Sequence, residues 1–316
     1  MFWIKKPNPA PLGIRLDQIQ AMLAPTSFKT SLKPNCLLAR EGRYTVRIEV
    51  DAPKEKDSGN APIRAVVRMT AELPAPIQQM FSKNPESVMA SFNSFAALNS
   101  LYSEGGKVLT GSRLTIYEQE DAWQSLHLPL LVFTTLGGTE AILGAMRRVM
   151  AGEASNQGGS DWSEIDLEQV QDTLKKICVC TGGGLGLTAE FPLIEGAVSS
   201  ALGDRRTALF QLMADQPHPE LGGGLFCLLQ MPHQVLGEAN LQKICSQLNK
   251  MEMEGDDLPP HFGAWCAGKL GNNPAYVSFL PNPLHTVSGI AVNASMWAKS
   301  RAEWANQSLA SMGITA

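Results

Sequence analysis

The chain has 316 residues, 44% of them apolar and 18% charged, with a formal net charge of −4. This composition is typical of a folded globular protein and excludes an intrinsically disordered chain. Because the net charge is slightly negative and the Lys and Arg residues are scattered, we expect neither nucleic acid nor an anionic membrane as a partner. The sequence has no apolar run of transmembrane length and no signal-peptide pattern at its start, which predicts a cytoplasmic protein.

The length and one stretch of small residues predict two domains. A chain of this length can form two cores of average size. Residues 151–163, "AGEASNQGGSDWS", are rich in Gly, Ser and Asn and lie near the midpoint of the chain. Such a composition is typical of an interdomain linker. We therefore predict a first domain over residues 1–150 and a second over residues 164–316.

Periodicity and turn residues predict the elements of the first half. Leu16, Ile19 and Leu23 have helical spacing in "LDQIQAML". Alternating residues in "YTVRIEV" indicate a strand that follows a turn at Glu41–Gly42. In chain order we predict a helix at 16–23, a hairpin at 35–50, a strand at 62–73, a helix at 85–101, strands at 113–119 and 125–136, and a helix at 138–150.

The second half has a similar series of patterns. In chain order we predict a helix at 167–174, a hairpin at 178–191, a strand at 223–231, a helix at 238–252, strands at 261–268 and 275–282, and a helix at 289–309. An insertion around residues 195–222 separates the hairpin from the next strand. Each half therefore has the predicted order α-β-β-β-α-β-β-α.

Two matching segments support an internal repeat. "LDQIQAML" begins at Leu16, and the similar "LEQVQDTL" begins at Leu167, 151 residues later. Gly138 and Gly289, which open the last predicted helix of each half, are separated by the same 151 residues. Because a repeated order at one offset indicates duplication, we predict an α+β fold with two tandem domains. Each domain is an antiparallel sheet packed against helices.

The order of elements resembles the type III secretion chaperone-like fold, which secretion chaperones share with the bacterial sensory transduction regulator family. The resemblance covers about 135 residues of each half and rests on element order and length. The most similar local segment is "FGAWCAG" followed by "AYVSFLPN". The resemblance implies a twisted sheet, frequent homodimers and protein binding without catalysis. A tandem copy departs from the usual single domain and would let the halves pack as an internal pseudo-dimer.

The glycine-rich segment "CVCTGGGLGLTAEF" does not match a nucleotide-binding loop. A dinucleotide fingerprint requires G-x-G-x-x-G between a strand and a helix, whereas Gly182, Gly183, Gly184 and Gly186 are followed by strand-like residues. No Gly-Lys-Ser/Thr follows, as a P-loop requires. The glycines therefore predict a hairpin turn.

The cysteines and acidic stretches predict no metal site. Cys178 and Cys180 form C-x-C, whereas zinc ribbons and redox motifs use C-x-x-C, and no second ligand pair exists. We expect reduced, buried thiols and no cofactor. The acidic stretches at 118–121 and 252–257 match no calcium loop and are predicted to be solvated charge at turns.

Two classes of function remain open. Trp265, Tyr276, Phe279, Trp297 and Trp304 gather in the last predicted strand pair and helix. These aromatic side chains predict either the core of the second domain or a surface that binds a protein or peptide. We favour a non-enzymatic interaction module that uses a sheet face or edge.

The alternative is a small-ligand binder or an enzyme with a pocket between the halves. Its candidate polar groups are His127, His233 and His261. A third possibility is a structural subunit with aromatic residues in an oligomer interface.

Overall fold

The computed structural model describes residues 14–41, 44–51, 63–117, 121–154, 156, 158–193, 206–256, 258–268 and 272–316, without the side chains of residues 64 and 121–134. In this part of the chain, two six-stranded antiparallel sheets are each packed against helices. The predicted α+β fold with two similar halves is confirmed. We call the halves the first and second repeat.

The elements of the first repeat are α1 (Leu16–Leu23), β1 (Lys29–Leu32), β2 (Leu37–Glu41), β3 (Tyr44–Asp51), β4 (Ile63–Glu72), α2 (Ala75–Met80), α3 (Pro85–Asn93), β5 (Ser100–Glu104), β6 (Lys107–Tyr117) and α4 (Asp121–Ala151). The elements of the second repeat are α5 (Glu164–Leu174), β7 (Val179–Gly183), β8 (Gly186–Pro192), β9 (Thr207–Met213), β10 (Gly224–Gln230), α6 (Glu238–Glu254), β11 (Ala264–Ala267), β12 (Pro274–Pro281) and α7 (Ile290–Ser311).

The two sheets have the same strand order. The first is β1-β2-β3-β4-β6-β5, and the second is β7-β8-β9-β10-β12-β11. Helices α1, α3 and α4 contact the first sheet, and helices α5, α6 and α7 contact the second. Equivalent strands can therefore be assigned by their position in each sheet.

Each repeat has one more strand than the sequence predicted. The additional strands are β1, whose "KTSL" is short and polar, and β9, which lies in the predicted insertion. Sheet order makes the β7–β8 hairpin equivalent to β1–β2, and not to the β2–β3 hairpin at residues 35–50. Strand β1 lacks the apolar alternation on which a sequence-based assignment depends. Strand β9 was missed because it lies in the segment that was predicted to be an insertion.

The last part of the first repeat differs from the prediction. The helix expected at 85–101 ends at Asn93, and the following strand pair is β5 and β6. Strand β6 contains residues 113–117 of the strand predicted at 113–119, but no strand forms at 125–136. Residues 125–136 belong to α4, which begins at Asp121. An apolar run of this length is compatible with either a strand or a buried helix, so periodicity alone did not separate them.

The repeats pack against each other through equivalent elements. Helix α3 contacts α6 and β11, while α6 contacts α3 and β5. The edge strands β5 and β11 also meet. This reciprocity is the pattern of an interface related by two-fold symmetry. Among the helices in the described residues, none has the length and apolar character needed to cross a bilayer.

Candidate functional site

The candidate site lies where the end of α6 meets the first repeat. Helix α6 contributes Glu252, the segment before β11 contributes His261, and α7 contributes Arg301. The first repeat contributes Ser100 from β5 and Arg113 from β6. All five side chains are buried. We refer to these five residues as the buried polar cluster.

Glu252 is the centre of this cluster. Its Oε1 accepts hydrogen bonds from Arg301 Nε at 2.8 Å and Trp265 Nε1 at 2.7 Å. Its Oε2 accepts from Arg301 Nη2 at 3.0 Å and lies 2.9 Å from His261 Nδ1. Burial raises the pKa of Glu252, but Arg301 and His261 outweigh burial and hold this pKa well below its usual range. Glu252 is therefore a fully satisfied buried carboxylate.

His261 connects Glu252 to the other repeat. Its Nδ1 faces the carboxylate, and its Nε2 lies 2.8 Å from Ser100 Oγ. Burial lowers the pKa of His261, and the cations Arg301 and Arg113 lower it further against the opposing effect of Glu252. The imidazole is therefore neutral at neutral pH, with Nδ1–H donating to the carboxylate.

Two arginines of the first repeat hold the end of α6. Arg113 donates to the carbonyl oxygens of Glu252 and of Pro259, the latter at 2.7 Å. Arg68 donates to Met253 O at 2.8 Å and to Asp256 Oδ1 at 2.8 Å. Carbonyl groups at a helix C-terminus lack intrahelical partners and carry partial negative charge, so both guanidinium groups complement this end. Burial lowers the pKa of Arg113 to about 10.

Ser100, His261 and Glu252 have the spacing of a nucleophile, a base and the acid that orients the base. This arrangement occurs in acyl-transfer enzymes. However, Ser100, His261 and Glu252 are each 0% exposed. Glu252 is also engaged by Arg301 and Trp265. While the repeats are in contact, Ser100 is not accessible to a substrate. In this state the buried polar cluster links the two repeats by hydrogen bonds.

A small cleft lies beside this cluster, between α7 and the second sheet. Its lining is mainly apolar and includes Phe210, Leu229, Phe262, Leu280, Ala294 and Trp297. The free space is about 30 Å³, enough for one or two water molecules and far below the volume of a typical ligand site. Arg301 also lines the cleft, but its Nε and Nη2 donate to Glu252 and to Pro260 O. We call this feature the α7 cleft.

The structure separates the five aromatic residues of the predicted binding surface. Trp265, Tyr276 and Phe279 are buried, whereas Trp297 and Trp304 are partly buried. Trp265 packs against Tyr276 and Trp304, at ring-centroid distances of 5.4 and 6.5 Å. Phe279 lies in a separate cluster with Ala97 and Ala141 of the first repeat. Their role in binding a partner stays a prediction.

Sequence reasoning missed most of the buried polar cluster. Glu252 was assigned to solvated turn charge, but it lies in α6 and is buried. Its spacing from Leu241, Cys245 and Leu248 places it on the buried helix face, which is a signal that periodicity contains. Of the histidines considered for a pocket, His233 is buried elsewhere in the second repeat, and the side chain of His127 in α4 lies outside the described residues.

The glycine-rich segment is a hairpin, as predicted. Gly183 pairs with Gly186, which leaves a two-residue loop of Gly184 and Leu185. Gly184 has a φ of +60°, as the first loop position of a type II′ turn requires. Cys180 is buried and Cys178 is partly buried, both as free thiols. The described residues contain no group of His, Cys, Asp and Glu arranged to hold a metal ion.

Comparisons with known proteins add no assignment. No protein-family model matches the chain, and no match is found among curated proteins or among solved structures.

Proposed function

We propose that this chain is a non-enzymatic interaction module that binds an apolar segment of a protein or peptide at the α7 cleft. The observation that carries the proposal is the chemistry of the cleft. Its described lining is mainly apolar, and the charged group among these residues, Arg301, has its Nε and Nη2 donors engaged with Glu252 and Pro260 O. A site of this kind gains affinity from burying apolar side chains and supplies no free acid or base.

Trp297 is the residue through which a partner would reach the cleft. It is partly buried and makes an edge-on contact with Phe262 at 5.8 Å. Met296 beside it is exposed. A partly buried Trp next to an apolar cleft is typical of an anchor position in a protein interface. Displacement of the Trp297 ring would enlarge the cleft for an incoming side chain.

The test compares two tryptophans of the same helix. We use three proteins to capture partners from the native cell: the unchanged chain and the variants Trp297→Ala and Trp304→Ala. Each captured candidate is then purified, and its binding to the three proteins is measured by calorimetry. We expect a partner that binds the unchanged chain and Trp304→Ala but not Trp297→Ala. Recovery of a small metabolite alone, or equal binding by all three proteins, contradicts the proposal.

The type III secretion chaperone-like relationship is part of the same proposal. The shared strand order of the two sheets and the reciprocal contacts of α3 with β11 and of α6 with β5 support two related domains paired within one chain. In this proposal the pairing within the chain takes the place of a homodimer of single domains.

The second candidate function is a hydrolase that opens between its repeats. The distances of 2.8 Å from Ser100 Oγ to His261 Nε2 and 2.9 Å from His261 Nδ1 to Glu252 favour it. A fluorophosphonate probe labels an activated serine. Labelling of the unchanged chain that is lost in Ser100→Ala would establish this candidate. The interaction proposal predicts no labelling.

A further inference from the structure

Within the part of the chain that the structure describes, the outer edge of β7 presents backbone groups that no other strand pairs with. Strand β7 pairs with β8 on one side, and no strand in the described residues pairs with its other side. The two-residue loop makes Gly183–Gly186 a hydrogen-bonded pair, and pairs of this type alternate along the ladder. Cys180 and Gly182 therefore direct their backbone N–H and C=O groups away from β8. These four groups can accept another strand.

Strand β7 lacks the features that protect sheet edges. Natural edges are blocked by charged side chains, proline or bulges. The equivalent edge strand β1 carries the exposed Lys29. Strand β7 has the sequence "VCTGG", its register with β8 is regular, and Val179 is 63% exposed. The β7 edge therefore lacks a feature that would block pairing with another strand, whereas the charged Lys29 opposes such pairing at the β1 edge.

The charges beside this edge are self-complementary. Helix α5 runs antiparallel to β7, because Glu164 at its start accepts a hydrogen bond from Gly184 N at 3.0 Å and its last turn leads into the strand. Glu164 and Glu168 lie beside the glycines of the hairpin, whereas the exposed Lys175 lies at the opposite end. When two β7 strands pair antiparallel, the acidic end of one copy meets the basic end of the other.

The apolar residues fit the same arrangement. Ile177 is 43% exposed just before the strand, and Leu185 is 41% exposed in the loop after it. In a two-fold pair centred on Thr181, Cys180 pairs with Gly182 of the second copy. The same register brings Ile177, two residues before the strand, toward the second copy's Leu185, two residues after it. Hydrogen bonds, apolar contacts and charges are all satisfied by one register.

We propose that the chain forms a two-fold homodimer in which the β7 edges of two copies pair about Thr181. The two second-repeat sheets then form one continuous sheet of twelve strands. The proposal uses a surface distinct from the α7 cleft and does not depend on the proposed function. Isologous pairing of one edge closes at two copies.

The test is the mass of the full chain in solution, measured by sedimentation velocity over a range of protein concentrations. Thr181→Lys places two like charges opposite each other at the axis. Thr188→Lys is the matched control, because Thr188 is the partner of Thr181 on β8, one strand away from the edge. We expect the unchanged chain and Thr188→Lys to reach the mass of two chains, and Thr181→Lys to keep the mass of one.

Three results would overturn the proposal. They are a single-chain mass for the unchanged protein at every concentration, a mass above two chains, and dimerisation of Thr181→Lys equal to that of the unchanged chain. If circular dichroism shows that Thr181→Lys is misfolded, Ile177→Asp decides the question. Its control is Leu236→Asp, because Leu236 is 85% exposed before α6. Equal dimerisation of these two variants would also overturn the proposal.

Discussion

Asn93 and Asn249 hold equivalent helices to equivalent strands in the two repeats. Asn93 in α3 accepts from Leu101 N at 2.8 Å and donates to Leu101 O at 3.0 Å. Asn249 in α6 accepts from Trp265 N at 2.7 Å and donates to Trp265 O at 2.9 Å. Both amides are buried. The same two-bond contact therefore fixes the middle helix to the edge strand of each sheet.

This equivalence shows how the two ends of the interface have diverged. Leu101 pairs with Thr110, and Trp265 pairs with Tyr276. Arg113 lies three residues after Thr110 in β6, and Phe279 lies three residues after Tyr276 in β12, so these two residues are equivalent. Arg113 N donates to His261 O at 3.3 Å, and Phe279 N donates to Ala97 O at 3.0 Å. Both ends of the interface share this backbone contact. At one end the Arg113 guanidinium group lies in the interface, and at the other end the Phe279 ring does.

We predict similar losses of stability for Asn93→Ala and Asn249→Ala. Each change leaves a buried backbone N–H and C=O without partners, which we expect to lower the free energy of unfolding by about 1–3 kcal/mol. Urea unfolding measures the loss. Asn240→Ala is the control, because Asn240 is exposed. A loss at only one of the two sites would contradict the equivalence.

The sequence predicted the elements whose apolar pattern is local. Helices α1, α5, α6 and α7 were found from their periodicity, and β12 from its apolar run. Strand β1 is polar, and its place in the sheet depends on pairing with β2. The contact of Arg113 with the end of α6 spans 139 residues of sequence. No local sequence pattern encodes such a contact, so the buried polar cluster could be recognised only once the fold was known.

Removal of Arg301 is predicted to be more harmful than removal of an exposed arginine. Arg301→Leu leaves Glu252 as a buried carboxylate without its main cation, and we expect a loss of about 3–5 kcal/mol. Adding Glu252→Gln removes this charge and should recover part of the loss. Arg47→Leu is the control, since the Arg47–Glu49 pair is solvent-exposed and contributes at most about 1 kcal/mol. Urea unfolding of the four proteins checks the order.

Acid is predicted to destabilise the interface through two buried histidines. His218 Nδ1 accepts from the N–H groups of Glu220 and Leu221, both at 3.2 Å, and Nε2–H donates to Phe95 O at 3.0 Å. Burial lowers the pKa of His218, against the opposing effects of Phe95 O and Glu220, and burial also lowers that of His261. Below pH of about 6.5, the unfolded chain therefore binds protons that the folded chain does not.

Above a pH of about 6.5, these two histidines should not affect the free energy of unfolding. Below this pH, the free energy of unfolding should fall by up to about 1.4 kcal/mol per pH unit for each histidine. The pKa of Glu252 is also lowered, so its contribution is lost only at pH below about 4.3. Urea unfolding at several pH values measures the slope. His218→Gln should flatten this slope relative to the unchanged chain. An unchanged slope in His218→Gln would rule out this role.

Two adjacent glycines of α4 are predicted to respond oppositely to alanine. Gly137 is exposed, and an added Cβ would meet no atom within 4 Å. Gly137→Ala should raise the free energy of unfolding by about 0.5–1 kcal/mol, because alanine restricts the unfolded chain and favours helix. At Gly138 the added Cβ would lie 2.4 Å from Asn99 Oδ1. Asn99 Nδ2 is bonded to Thr110 and Thr139, which limits any movement of this side chain.

We therefore expect Gly138→Ala to destabilise the protein by about 1–3 kcal/mol, as overpacking of a filled core does. Thermal and urea unfolding of the two variants measure the contrast, and each serves as the control for the other. Because both glycines lie in the same helix, its intrinsic propensity changes equally in the two variants. A difference in sign isolates the contact between α4 and Asn99, and equal effects would contradict close packing at Gly138.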